Sequence, residues 1–160
     1  MYDFEAINAV KEYCIAHRQT LAIAESVTSG HLQAAISLAE NASLFFQGGM
    51  TAYNLGQKCR HLEVNPIHAQ ECNSVSPGIA GDMAQSACKL FLSDWGIGIT
   101  GYAAPVPEMQ IFELFAFYAI AFRGEVIESG KIATSQAQAP ASQIDYTNQV
   151  ILFLQKLMDK

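Results

Sequence analysis

The sequence predicts a single α/β domain, an α/β/α sandwich built on a mixed sheet. Two observations carry this. Stretches with apolar residues at helical spacing alternate with short apolar runs of strand length, the pattern of a layered α/β domain. The composition also fits one substantial core: 160 residues, 51% hydrophobic and only 15% charged. No repeat or linker divides the chain, so residues 1–160 read as one unit.

Taken in order, Phe4, Ile7, Val10, Cys14 and Ile15 recur at helical spacing, so residues 4 to 17 form an amphipathic helix. Thr20 to Ala24 is a strand, and Glu25 to Gly30 is the turn after it. His31 to Leu38 is a helix with Leu32, Ala35, Ile36 and Ala39 on one face. A strand lies within Leu44 to Tyr53, and Leu55 to Leu62 and Pro66 to Cys72 are helical. Ser76 caps a longer helix with Pro77 at its first position, running to Leu92. Trp95 to Thr100 is a strand. Phe112 to Arg123 is another, joined to Glu125–Ala133 as a hairpin through Arg123-Gly124, and its aromatic residues Phe112, Phe115, Phe117, Tyr118 and Phe122 belong to the core and sheet faces. Residues 141 to 158 close the chain as a helix, with Ile144, Val150, Ile151, Leu154 and Leu157 facing inward.

Composition excludes some functions. The net charge of −6 argues against nucleic-acid binding, which needs a basic face. No run reaches membrane-helix length, and Met1-Tyr2-Asp3-Phe4-Glu5 has no signal-peptide pattern, so the expected location is cytoplasmic with no membrane partner. Cys14, Cys59, Cys72 and Cys88 are widely separated, and buried reduced thiols are expected. The four histidines show no ligand spacing with them, so no metal site and no cofactor is expected. His31 reads as a partly exposed helix residue beside the first loop.

Chemistry concentrates between Ser43 and Lys58. A serine hydroxyl becomes a nucleophile when a partly desolvated lysine takes its proton, and a tyrosine such as Tyr53 can relay a proton or steady an oxyanion. That set suits hydrolysis of an amide or ester. Spacing alone leaves a second reading open: a capping Ser, a strand Tyr and a solvated Lys. Glu25 reads either as a surface or capping residue or as a holder of the loop or the substrate. Ser26, Thr28, Ser29 and Gly30 offer hydroxyls and backbone N–H groups at a helix start, a candidate anion cradle. Thr100-Gly101, at the end of another strand, would lie on the same sheet edge, where open α/β sheets place ligands.

Four segments together resemble one family. They are Leu21 to Gly30, Ser43 to Lys58, Val75-Ser76 with Met83-Ala84, and Gly98 to Gly101. The first contains Ala24-Glu25-Ser26-Val27-Thr28-Ser29-Gly30, against a pattern A-E-S-[CS]-T-G-G. The second keeps Ser43, Phe46, Gly48, Gly49, Tyr53, Asn54 and Lys58 of a pattern G-[AS]-S-x-x-F-x-G-G-x-x-x-Y-[ST]-N-x-x-K. The chain resembles the C-terminal domain of the competence/damage-inducible protein CinA, from about Phe4 to Leu157. The resemblance implies that fold, self-association, and hydrolysis of the carboxamide of nicotinamide mononucleotide. It implies Ser43 as nucleophile, Lys58 as base and Tyr53 as assistant. Glu25, Ser26, Thr28, Ser29, Gly30, Gly49, Thr100 and Gly101 would bind a small amide or nucleotide substrate.

The chain also departs from the pattern. The glycine-rich T-G-[IV]-A-G-P-x-G-G becomes Thr100-Gly101-Tyr102-Ala103-Ala104-Pro105-Val106-Pro107-Glu108, and the C-terminal arginines of G-D-R-x-x-[IV]-R are absent from Ala139 to Asp145. Each proline removes a backbone donor, and arginine is the usual bidentate partner of phosphate. Weak phosphate recognition is therefore expected. Two readings stand: an amidohydrolase with altered substrate preference, or a relative with little catalysis that binds a nucleotide or a protein.

Overall fold

The computed structural model describes residues 1–160. Its elements are α1 (Phe4–His17), β1 (Leu21–Glu25), α2 (His31–Ser37), β2 (Phe46–Thr51), α3 (Leu55–Leu62), α4 (Pro66–Glu71), α5 (Pro77–Phe91), β3 (Trp95–Gly101), β4 (Phe115–Phe122), β5 (Glu125–Ala133) and α6 (Ala141–Met158). Short 3-10 turns lie at Ala42–Leu44 and Pro107–Met109. The five-stranded sheet has the order β2-β1-β3-β4-β5. β1 runs parallel to β2 and β3, while β4 is antiparallel to β3 and β5, so the sheet is mixed as expected.

Alternation along β1 sorts the two layers. Leu21 and Ile23 join the core built with α1, α2 and α6, while Ala22 and Ala24 face Leu62, Ala69, Ile79 and Met83 of α3, α4 and α5. The α5 face is made of small residues: Ala119 and Ala121 of β4 meet Ala80, Ala84 and Cys88. A side chain at Gly98 would place its Cβ 2.1 Å from the Ala80 carbonyl. This close approach seats α5 directly on β3 and fixes the loop before it against the sheet edge.

Local signals act where the sequence places them. Ser76 accepts from the Ile79 N–H at 3.1 Å with Pro77 at the first helical position, starting α5. The β4–β5 hairpin turns through Arg123 and Gly124, both at positive φ. The differences lie at element ends. β4 begins at Phe115, three residues later than expected, because the preceding chain forms a loop with a Val106–Ile111 bridge, and Phe112 is exposed there. The buried stripe of α6 is Ser142, Tyr146, Thr147, Val150, Ile151, Leu154 and Met158, so Ile144 and Leu157 sit at its margins. All four cysteines are free thiols, but Cys59 and Cys72 are only half-buried. No helix is long and apolar enough to cross a membrane.

Candidate functional site

Parallel strands put their C-terminal ends on one edge, and three of them end together here. Glu25 of β1 pairs with Thr51 of β2, and β3 ends at Thr100-Gly101 alongside. The chain leaves β1 for α2 on one face and β2 for α3 on the other, which opens a crevice between the departing loops. A cavity of about 340 Å³ fills it, lined by Ser26, Val27, Tyr53, Asn54, Lys58, Ser74, Thr100 and Gly101 among others.

Lys58 is the one lysine or arginine in this lining, and no Asp or Glu joins it. On α3 it stands within the apolar stripe Leu55, Cys59 and Leu62, while Gln57 and Arg60 face water. Only 3% of Lys58 is exposed. Its Nζ donates to the Tyr53 carbonyl at 3.4 Å, a long and neutral contact. The ion pairs of the chain are Lys89–Glu63 and Arg123–Asp94, so no carboxylate neutralises Lys58. Burial lowers its pKa from 10.5 to about 8, against a smaller opposing contribution from Cys59. The amine is therefore poised to exist partly neutral near neutral pH.

The loop after β1 is arranged differently from the expected anion cradle. The Glu25 carboxylate, fully buried, folds back over the start of α2. It accepts from the Thr28 hydroxyl at 2.5 Å and from the N–H groups of Gly30, Leu32 and Gln33 at 3.2, 3.0 and 2.8 Å. The helix start thus holds the protein's own anion, in the way a capping Ser or Asp satisfies the same N–H groups with a shorter side chain. Glu25, Thr28, Ser29 and Gly30 do not line the cavity, and Ser29 is exposed. Glu25 thus caps α2 and holds the loop after β1, the capping and loop-holding readings of this residue. Gly49 does not line the cavity either: it lies within β2, where a Cβ would come 2.5 Å from the Ile23 carbonyl, so its place is sheet packing. Ser26, Thr100 and Gly101 do line the cavity, and the Thr100 hydroxyl donates to the Ser74 carbonyl at 2.6 Å.

The expected meeting of Ser43 with Lys58 does not occur within one chain. Ser43 lies in the 3-10 turn before β2, and Lys58 lies beyond its other end. Six strand residues separate the two edges, which amounts to roughly 20 Å at strand rise. Ser43 is exposed at the sheet's opposite edge and is absent from the cavity. Tyr53 does line the cavity, although 72% of it is exposed.

Sequence reasoning missed Asn73 and Ser74, which carry consecutive positive φ angles of 52° and 59° and bring the loop before α5 over the cavity. Their turn-forming residue types ahead of the Ser76-Pro77 cap were the available signal. In the altered loop, only Tyr102 and Ala103 reach the lining, while Pro105, Pro107 and Glu108 are exposed outside it. The Tyr102 carbonyl accepts from Tyr146 and the Ala103 carbonyl from Ser142, tying this wall to α6.

The fold and sequence have clear relatives. The structure of a competence-damaged protein (CinA) superfamily protein from Klebsiella pneumoniae superposes with a TM-score of 0.88 at 23% identity, covering 97% of this chain and 96% of that one. A competence or damage-inducible protein from Enterobacter asburiae gives a TM-score of 0.88 at 24% identity, covering 96% of each chain. Among curated sequences, a CinA-like protein from Picosynechococcus sp. is 46% identical over 88 residues, and a putative competence-damage inducible protein from Streptococcus pneumoniae is 39% identical over 87. These matches cover 55% and 54% of this chain but only 21% of each relative. The family model of the CinA C-terminal domain matches residues 4–139, and the chain accordingly belongs to the CinA family, of the competence/damage-inducible type.

Proposed function

We propose that the chain hydrolyses a small carboxamide, with nicotinamide mononucleotide or its uncharged riboside as the substrate class, at the cavity around Lys58. The observation that carries this reading is a buried amine with no acidic partner and a pKa near 8, set among hydroxyls at a sheet edge. In this chemistry a serine Oγ attacks the amide carbon while its proton passes to the neutral Lys58 amine. The resulting ammonium returns a proton to the leaving nitrogen, which departs as ammonia. Water then cleaves the acyl ester, with Lys58 again taking the proton. Tyr53, at the mouth, can donate to the developing oxyanion.

Within one chain the cavity supplies Ser26 as the hydroxyl, whereas Ser43 stands at the other end of β2. The lining contains no arginine, and Glu25 occupies the nearest helix start. These features favour an amide with little negative charge over a phosphate ester. The test is ammonia release by the purified protein from the mononucleotide and from the riboside. Release from the riboside at least as efficient as from the mononucleotide supports the reading, and no release from either removes it. The separation of Ser43 from Lys58 favours one competing reading, a relative that binds a nucleotide or a protein partner without turnover. Binding of either substrate with no ammonia released would select it.

A further inference from the structure

A second concentration of chemistry lies at the two ends of a loop that walls the cavity. This loop joins α4 to α5, and its middle residues Asn73, Ser74 and Val75 line the Lys58 cavity. Both of its ends carry donor atoms. Cys72 closes α4, one helical turn after His68, and Ser76 caps α5. His68 Nε2 lies 2.9 Å from Ser76 Oγ and 3.9 Å from Cys72 Sγ. The other histidines are engaged elsewhere: His17 with the Tyr13 carbonyl, His31 with the Tyr2 hydroxyl and His61 with the Gln57 side chain. Of the four, only His68 faces a thiol.

The spacing suits a metal ion. A tetrahedral zinc, about 2.0–2.1 Å from nitrogen and 2.3 Å from sulfur, holds those two atoms about 3.5 Å apart. Closing Cys72 Sγ toward His68 Nε2 by roughly 0.4 Å reaches that bite. Ser76 Oγ accepts one hydrogen bond, from the Ile79 N–H at 3.1 Å, which leaves its second lone pair for a cation. Space is open beside these donors. Gly78 sits in the first turn of α5 with no positive φ that would require glycine. A Cβ there would lie 3.4 Å from His68 Nε2 and 3.7 Å from Ser76 Oγ, so a larger side chain would take the place of an ion or its water. Asp82 follows one turn further along α5. Burial raises its pKa and the charge of His68 opposes this, so a carboxylate stands near enough to favour a cation at His68.

We propose that His68 and Cys72 chelate a zinc-class divalent cation, with Ser76 and water completing the tetrahedron, and that the ion clamps both ends of the loop walling the Lys58 cavity. The spacing of these two residues departs from the expectation that no histidine stands at ligand spacing from a cysteine. Binding exchanges a proton for the metal. The thiol S–H bond breaks, the sulfur pair bonds to the ion, and the proton passes to solvent. The thiol's hydrogen bond to the His68 carbonyl at 3.0 Å is given up. The middle of the loop is already tied to the other wall, through the Thr100 hydroxyl on the Ser74 carbonyl and Asn73 on the Tyr102 hydroxyl. The ion fixes the ends of a segment whose centre these bonds hold. This inference does not rest on the amide-hydrolysis reading.

Calorimetric titration of the reduced protein with zinc chloride tests the chelate without any substrate. One ion per chain is expected with a Kd of about 1–200 µM, since half the donor set of a four-ligand site gives roughly half its binding free energy. Cobalt(II) in place of zinc is expected to show a thiolate-to-metal charge-transfer band that Cys72→Ser lacks. Cys72→Ser and His68→Gln are each expected to weaken zinc binding at least ~10-fold, a loss seen even for residues that only support a ligand. Cys59→Ser is expected to bind like wild type. Zinc is also expected to slow amide hydrogen exchange at Asn73, Ser74 and Val75. No binding below ~1 mM, no charge-transfer band from the wild type, or affinity untouched by Cys72→Ser and His68→Gln overturns the site. A loss in Cys59→Ser equal to that in Cys72→Ser overturns the choice of thiol. Unchanged exchange in the loop overturns the clamp. If the protein releases no ammonia from any amide, the hydrolase reading falls, and these measurements still decide the metal site.

Discussion

Replacing Lys58 with Met should make the protein more stable while disabling its proposed chemistry. Met is unbranched and of similar reach, so it fills the space among Leu55, Cys59 and Leu62 without a cavity. The magnitude follows from the lysine itself. Its pKa falls from 10.5 to about 8 on folding, and at ~1.4 kcal/mol per unit the charged form costs about 3 kcal/mol in the native state. Losing the long contact to the Tyr53 carbonyl offsets ~1 kcal/mol. The net gain for Lys58→Met near pH 7 is about 2 kcal/mol, or ~4–8 °C in Tm for a chain of this size. The pH dependence fixes the cause. The unfolded chain keeps the Lys58 proton up to about pH 10.5, while the folded chain releases it near 8, so between these values the unfolded state binds more protons. Wild-type stability therefore rises with pH across that window, and the advantage of Lys58→Met shrinks over the same range. Urea titrations at intervals from pH 7 to 10.5 read this directly. A Lys58→Met protein less stable than wild type at pH 7, or an advantage constant with pH, refutes a buried and unneutralised amine.

Glu25→Ala removes the acceptor for three backbone N–H groups and the Thr28 hydroxyl, and should destabilise the fold by ~3–5 kcal/mol, read by chemical denaturation. Gly98→Val should prevent α5 from seating on β3 and leave little folded protein, because even a Cβ there meets the Ala80 carbonyl at 2.1 Å; normal melting would refute the packing account of that strand. Calorimetric titration should find nicotinamide mononucleotide bound no more tightly than its riboside, since the cavity holds no arginine; a tenfold or greater preference for the mononucleotide, about 1.4 kcal/mol, would show a phosphate site that the lining residues do not supply.

Much of the fold was legible because the determinants are local. The spacing of Phe4, Ile7, Val10 and Cys14, the Ser76-Pro77 cap and the Arg123-Gly124 turn each act over a few residues, and each forms the expected element. The burial of Lys58 was half legible: Leu55, Cys59 and Leu62 mark an apolar stripe, and Lys58 falls within it. The site failed to be legible where sequence nearness and spatial nearness diverge. Ser43 and Lys58 belong to one continuous motif, yet a strand runs between them and carries them to opposite sheet edges. Thr28, Ser29 and Gly30 are the right residue types for an anion cradle, but the anion that fills it is Glu25, fixed by the tertiary path of the loop. Asn73 and Ser74 reach the cavity through two successive left-handed conformations, which residue type permits but does not dictate.

The most direct test of a Lys58-centred hydrolase is the rate of ammonia release by wild type and Lys58→Met from pH 6 to 10 on the riboside. At pH 7 about a tenth of the amine is neutral if its pKa is near 8. Wild-type kcat/KM should therefore rise about tenfold between pH 7 and a plateau above pH 8.5–9, and Lys58→Met should lose at least ~10²-fold at every pH. A flat wild-type profile over this range, or a Lys58→Met enzyme as active as wild type, would contradict the role of the buried amine.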